Sequence, residues 1–135
     1  MQEQIIISRI KLIDETILSS NGVHDMVCHE IDGKKICLDG GSEYTRLVGD
    51  FSLITEEKVS ITTETPIEEI REVYNWGTYG KKGDEDFHRV KLKDMSNKHI
   101  EAIIETQRQI PDYIIRYVFN AELIYREINN LYIED

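Results

Sequence analysis

The apolar positions of the chain fall into short β-branched runs in its first part and into helical stripes in its last part. Gln4 to Ile13 is rich in isoleucine, and Asp14-Glu15 separates it from Thr16 to Ser19, which predicts a first hairpin. Asn21-Gly22 reads as a turn. His24 to Ile31 and Lys34 to Leu38 are joined by Asp32-Gly33, a strong two-residue hairpin signal. Asp39-Gly40-Gly41 ends that strand, and Glu43-Tyr44-Thr45-Arg46 opens a short element whose type the pattern leaves open. Val59 to Thr63 reads as a further strand. Thr65-Pro66-Ile67-Glu68 then opens a short helix reaching Tyr74, with Thr65 as N-cap, Pro66 at the first helical position and Glu68 completing a capping box.

The stretch from Trp76 to Gln107 carries the strongest punctuation. Gly77, Gly80 and Gly83 lie within eight residues, marking backbone that turns sharply or lies close against something. After the acidic Asp84-Glu85-Asp86, the run Phe87 to Lys93 alternates Phe87, Arg89, Lys91 and Lys93 against His88, Val90 and Leu92, a strand pattern with one basic face. Ser96 is a fair N-cap for a helix whose stripe is Ile100, Ile103, Ile104 and Gln107. Glycine-rich loop, basic strand and helix start in succession are a geometry that can hold a phosphate.

Pro111 stops or bends that helix, and a second one runs from about Pro111 to Asn130. Its apolar positions Ile114, Ile115, Val118, Phe119, Ile124, Ile128 and Leu131 cover more than half of its circumference, with Tyr113, Tyr117, Tyr125 and Tyr132 interleaved. One sheet would cover a single stripe, so the surplus predicts packing against another chain. The expected fold class is α+β: an N-terminal antiparallel β-sheet followed by C-terminal α-helices, homo-oligomeric. At 135 residues the chain is read as a single domain, residues 1–93 mainly β with one short helix and residues 94–130 helical.

Charge sharpens this picture. The net charge is −10, which speaks against wrapping a nucleic-acid backbone. Residues 71–98 nevertheless hold seven lysines and arginines against five acids, and they alone have a positive balance. A small anionic ligand could be served there, whereas a long polyanion could not. No apolar run approaches the roughly 20 residues of a membrane span, and Met1-Gln2-Glu3-Gln4 lacks the basic region of a signal peptide, so an intracellular soluble protein is expected. Cys28 and Cys37 flank the second hairpin turn; in a reducing cytosol free thiols are the favoured state.

Candidate chemistry is sparse. His24, Asp25, Cys28, His29 and Cys37 match no zinc spacing, so no metal site is expected. No nucleophile elbow, Walker loop or paired nucleophile and base is present. Asp84-Glu85-Asp86 and Glu56-Glu57 read as solvated turns rather than catalytic carboxylates. His88 and His99 bracket the basic strand and could act as general acid and base, although His88 lies on the apolar side of the alternation, where a core or interface role is the simpler reading. Phe87 among Arg89 and Lys91 suits a planar base carrying phosphates, though an aromatic so placed also suits a core or dimer contact.

Taken together, Asp39-Gly40-Gly41 with Tyr44 and Arg46, Trp76-Gly77-Thr78 with Gly80, Lys81 and Gly83, the run Leu92 to Gln107, and Tyr125-Arg126 resemble the first anti-Thoeris family of bacteriophage proteins. The resemblance covers roughly Asn21 to Arg126. It implies an N-terminal sheet with C-terminal helices, assembled as homodimers or as hexameric trimers of dimers. Such proteins work in the cytoplasm of the infected bacterial host as sponges. They sequester, without cleaving it, a glycocyclic ADP-ribose made from NAD by TIR-domain enzymes. No cofactor, metal, DNA or membrane partner is implied.

By the same resemblance Phe87 stacks on adenine, and Asn97, ten residues later, hydrogen-bonds base or ribose. Arginines of a partner's helix take the diphosphate; Arg116 and then Arg108 are the candidates, with Arg89 and Trp76 completing the ligand set. The family's His-Arg-His-Asp-aromatic run stands here as Gly22-Val23-His24-Asp25-Met26. Two other function classes stay open at this point: a small phosphodiesterase using His24, His88 or His99, and an acidic nucleic-acid mimic that blocks a host protein.

Overall fold

The computed structural model describes residues 3–20, 25–40, 45–56, 59–80 and 82–135. The backbone gathers into two compact units, Met1–Glu64 and Thr65–Asp135, and each is described by itself. The fold is mixed α+β, with antiparallel strands in the first unit and helices concentrated in the second. The expected turn at Asn21-Gly22, together with His24, Gly41, Tyr44, Glu57 and Lys81, lies outside the described residues.

In the first unit, strand β1 (Ile5–Leu12) pairs antiparallel with β2 (Ile17–Ser20), as the isoleucine-rich run and the Asp14-Glu15 break predict. Glu15 turns the chain in the left-handed region at φ 72°. The second sheet has the order β3 (Val27–Ile31), β4 (Lys34–Asp39), β5 (Arg46–Gly49). Its β3–β4 turn places Asp32 and Gly33 both at positive φ, 49° and 79°, the conformation that two-residue hairpins need. Strand β6 (Ile54–Glu56) and the two-residue β7 (Ile61–Thr62) also pair with β1. The pleat brings Ile10, Leu12, Leu18, Ile36, Leu38 and Leu53 together into one buried cluster.

The hairpin corrects the expectation of free thiols. Its register sets Cys28 directly opposite Cys37, with Cα atoms 4.1 Å apart, and the two form a disulfide. Compartment alone argues for thiols; adjacency across the ladder decides the matter.

The second unit begins with helix α1 (Ile67–Val73). Pro66 is its N-cap, and the carbonyl of Pro66 accepts from the Glu69 and Ile70 amides, so the helix starts one residue later than the capping-box pattern suggests. Strands β8 (Asn75–Thr78) and β9 (His88–Lys91) form an antiparallel hairpin, followed by a 3-10 turn at Leu92–Asp94. Helix α2 (Asn97–Thr106) starts where expected, the Ser96 hydroxyl accepting from the His99 amide at 3.1 Å. A final helical run passes from α3 (Asp112–Ile114) through π-helical Ile115–Asn120 into α4 (Ala121–Ile128). It closes in a Schellman arrangement: Asn130 adopts φ 55°, and the Leu131 amide donates to the Arg126 carbonyl at 2.7 Å. Ile70, Tyr74, Leu92, Met95, Ile100, Ile103, Ile114, Val118 and Phe119 are the buried apolar side chains of this unit.

Candidate functional site

Three of the expected loop residues, Trp76, Gly77 and Thr78, lie in β8, and the connection to β9 turns through Gly80 and Gly83 at φ 90° and 73°. Thr78 pairs with His88, Gly77 with Arg89 and Trp76 with Val90, so the β8–β9 hairpin has two distinct faces.

One face is basic and aromatic. Phe87 precedes β9, is 54% exposed, and packs edge-on against Tyr79 with ring centroids 5.4 Å apart. The Arg89 guanidinium lies 5.8 Å from the Phe87 ring centre and donates to Asn75 Oδ1 at 2.9 Å. The ring rests on bare backbone: a Cβ added to Gly77 would meet Phe87 Cζ at 2.6 Å. Phe87 and Arg89 therefore share a face, as the alternation predicts.

The other face turns inward. Trp76 packs edge-on against Phe119 with centroids 5.8 Å apart, which gives the tryptophan a packing role. Beyond it, Thr78, His88 and Val90 form one wall of a cavity of about 670 Å³. Ser96, Lys98, His99 and Ala102, from the start of α2, form another. Glu85 and Asp135 supply carboxylates at its edge. His88 Nδ1 lies 3.0 Å from the Asp86 carbonyl; a carbonyl only accepts, so Nδ1 carries the proton and Nε2 is the basic nitrogen of the neutral ring. Burial pulls the His99 pKa below the usual imidazole range, opposed by the charge of Asp135. The structure thus brings His88 and His99 to one cavity.

Asn97 occupies neither place. It is buried at the start of α2, where its carboxamide oxygen accepts from Arg126 Nη1 at 2.7 Å and from the Ile133 amide at 3.0 Å. The ten-residue interval from Phe87 consequently spans two different environments. Arg116 and Arg108 are both exposed, Arg116 with its guanidinium 5.4 Å from the Tyr117 ring centre.

Sequence reasoning missed the buried charge network beside this site. Arg126 donates to Glu122 Oε2 at 2.7 Å and to the Leu92 carbonyl at 3.0 Å, and Arg71 donates to Glu122 Oε1 at 2.9 Å. Glu122 and Arg126 are almost fully buried, and the Glu122 carboxylate pushes the Arg71 pKa up. The signal available was the i,i+4 spacing of Glu122 and Arg126, which reads equally well as an exposed helix pair. Among the described residues no cluster of three or more histidines, cysteines or acids could hold a metal ion, and no helix is long and apolar enough to cross a membrane. Comparison with protein-family models, curated proteins and solved structures returns no match for this chain.

Proposed function

We propose that this chain is a non-catalytic binding protein that sequesters a small cyclic nucleotide signal of the glycocyclic ADP-ribose class, as its resemblance to the first anti-Thoeris sponges implies. The observation that carries the reading is the exposed Phe87 ring, backed by Gly77 and flanked by Tyr79 and Arg89, on a chain that is otherwise acidic. An aromatic left open to solvent beside a guanidinium offers a base a stacking surface and its phosphates a counter-charge. The rest of the ligand shell would come from a second copy, whose Arg116 or Arg108 would approach the diphosphate. In this reading the protein acts as a homodimer or trimer of dimers in the cytoplasm of an infected bacterial host and needs no cofactor. Asn97 would contribute by holding the start of α2 in place, since its carboxamide oxygen is engaged inside the chain.

A second reading is favoured by one observation, the convergence of His88 and His99 on one cavity: a small phosphodiesterase using them as acid and base. One experiment separates the two. The protein is mixed with signal generated by a TIR-domain enzyme, removed by filtration and heat-denatured, and the released material is chromatographed. Signal that disappears from the filtrate and returns intact supports sequestration. Return as fragments supports the enzyme, and signal that stays in the filtrate defeats both.

A further inference from the structure

The cavity on the inward face of the hairpin is separate from the Phe87 surface, and its walls have a chemistry of their own. About 670 Å³ lies within the range of pockets that take nucleotide-sized ligands. Val90 and Ala102 offer apolar contact, and Thr78 and Ser96 bring hydroxyls. Lys98 brings an ammonium, and His88 and His99 bring imidazoles.

The start of α2 is the electropositive end of the helix. Three of its first amides are engaged: Asn97 donates to the Ile133 carbonyl at 2.9 Å, His99 to the Ser96 hydroxyl at 3.1 Å, and Ile100 to the Ser96 carbonyl at 3.1 Å. The Lys98 amide has no acceptor among the described residues.

One anionic group already sits at this place. Ile133 is bonded to Asn97 through both its amide and its carbonyl, and this carries Asp135 to the helix start, where Asp135 Oδ1 accepts from the Ser96 hydroxyl at 2.6 Å. Among the described residues of the lining, the carboxyl groups of Asp135 and Glu85 stand beside the ammonium of Lys98, and the Asp135 side chain holds the Ser96 hydroxyl that an incoming phosphate would need. Withdrawal of Asp135 would let a phosphate replace a carboxylate, like for like, beside Ser96 and Lys98.

We propose that this cavity is a binding site for a small phosphate-bearing ligand of nucleotide size, and that the Asp135 carboxylate on Ser96 occupies the phosphate position until the ligand displaces it. The site is independent of the Phe87 surface. Asp135→Asn keeps an oxygen for the Ser96 hydroxyl while removing the charge, so the fold is retained and the resident competitor weakened. Lys98→Ala removes the cation from an exposed position.

Calorimetry with ADP and with inorganic pyrophosphate is the test, on the whole chain, with Phe87→Ala measured beside the other variants. We expect Asp135→Asn to bind ADP about fivefold more tightly than the unaltered chain, and Lys98→Ala about fivefold more weakly, each from one charge acting near the protein surface. ADP should bind about tenfold more tightly than pyrophosphate, because the cavity also takes the nucleoside. An unchanged affinity in either charge variant, or equal affinity for the two probes, overturns the proposal, as does binding weaker than about 1 mM by both the unaltered chain and Asp135→Asn. If Phe87→Ala weakens ADP binding while the two charge variants leave it unaltered, the cavity assignment falls and the stacking surface stands. Capture of the TIR-generated signal is read separately in the filtration assay, so the two proposals fail independently.

Discussion

At the scale of the residue, Phe87 and Gly77 illustrate how one side chain depends on the absence of another. The alternation of the basic strand puts Phe87 with Arg89, and this much is legible in the sequence. The bare Cα of Gly77 opposite them is legible only as a turn former, whereas the fold uses it as the floor on which the ring rests. Base stacking on an aromatic contributes about 1–3 kcal/mol, so Phe87→Ala should weaken capture of the signal about 5- to 150-fold in the filtration assay. An unaltered affinity would remove Phe87 from the ligand site. Tyr74 gives a residue-scale prediction of a different kind. Its burial holds the phenol protonated and pushes its pKa up to about 12. A phenol whose folded pKa lies above its unfolded value stabilises the fold fully below pH of about 10, and that contribution is lost as the pH rises from there through the folded value. Denaturant midpoints measured at increasing alkalinity should therefore fall, and Tyr74→Phe should flatten that limb; an equally steep decline in the variant would contradict the assignment.

At the scale of the element, helix starts and stops were largely written in the chain. Ser96 caps α2, Pro111 separates two helices, and Asn130 takes the left-handed conformation that ends the last one. What joins these elements was not. Arg126 meets Glu122 on its own helix, Asn97 on α2 and the Leu92 carbonyl in the 3-10 turn, and Glu122 also receives Arg71 from α1. The planar guanidinium, with five donors in fixed directions, suits such a junction, and every contact needs the neighbouring elements already packed. Arg126→Met fills much of the same volume but leaves the buried Glu122 with Arg71 alone and takes a donor from Asn97. Breaking a buried pair from one side costs about 3–5 kcal/mol, so the variant should lose that much in chemical denaturation. A loss within about 0.5 kcal/mol would mean that the network is solvated and incidental.

At the scale of the whole molecule, the surplus apolar surface read from the last helix is exposed in the single chain. Ile124 is 57% and Ile128 74% exposed, and Leu131 and Tyr132 are exposed beside them in sequence. Their four-residue spacing puts Ile124 and Ile128 on one stripe of α4. In the homo-oligomeric reading a second copy covers this stripe. Ile128→Asp should then shift the mass measured by light scattering at micromolar concentration towards that of one chain, while near-native circular dichroism is kept. Equal masses for the variant and the unaltered chain would place any interface elsewhere. The sequence by itself determined the α+β class, most of the strands and helices, the basic and aromatic face of one hairpin and the unpartnered stripe. Each of these depends on local periodicity, on turn residues or on the count of apolar positions around a helix. Only the tertiary structure decided that Cys28 joins Cys37, that the Asn97 carboxamide oxygen accepts from Arg126, and that His88, Lys98, His99 and Asp135 line one cavity. Those are contacts between residues distant along the chain or across a ladder, and they are set by register and packing, which no single stretch contains.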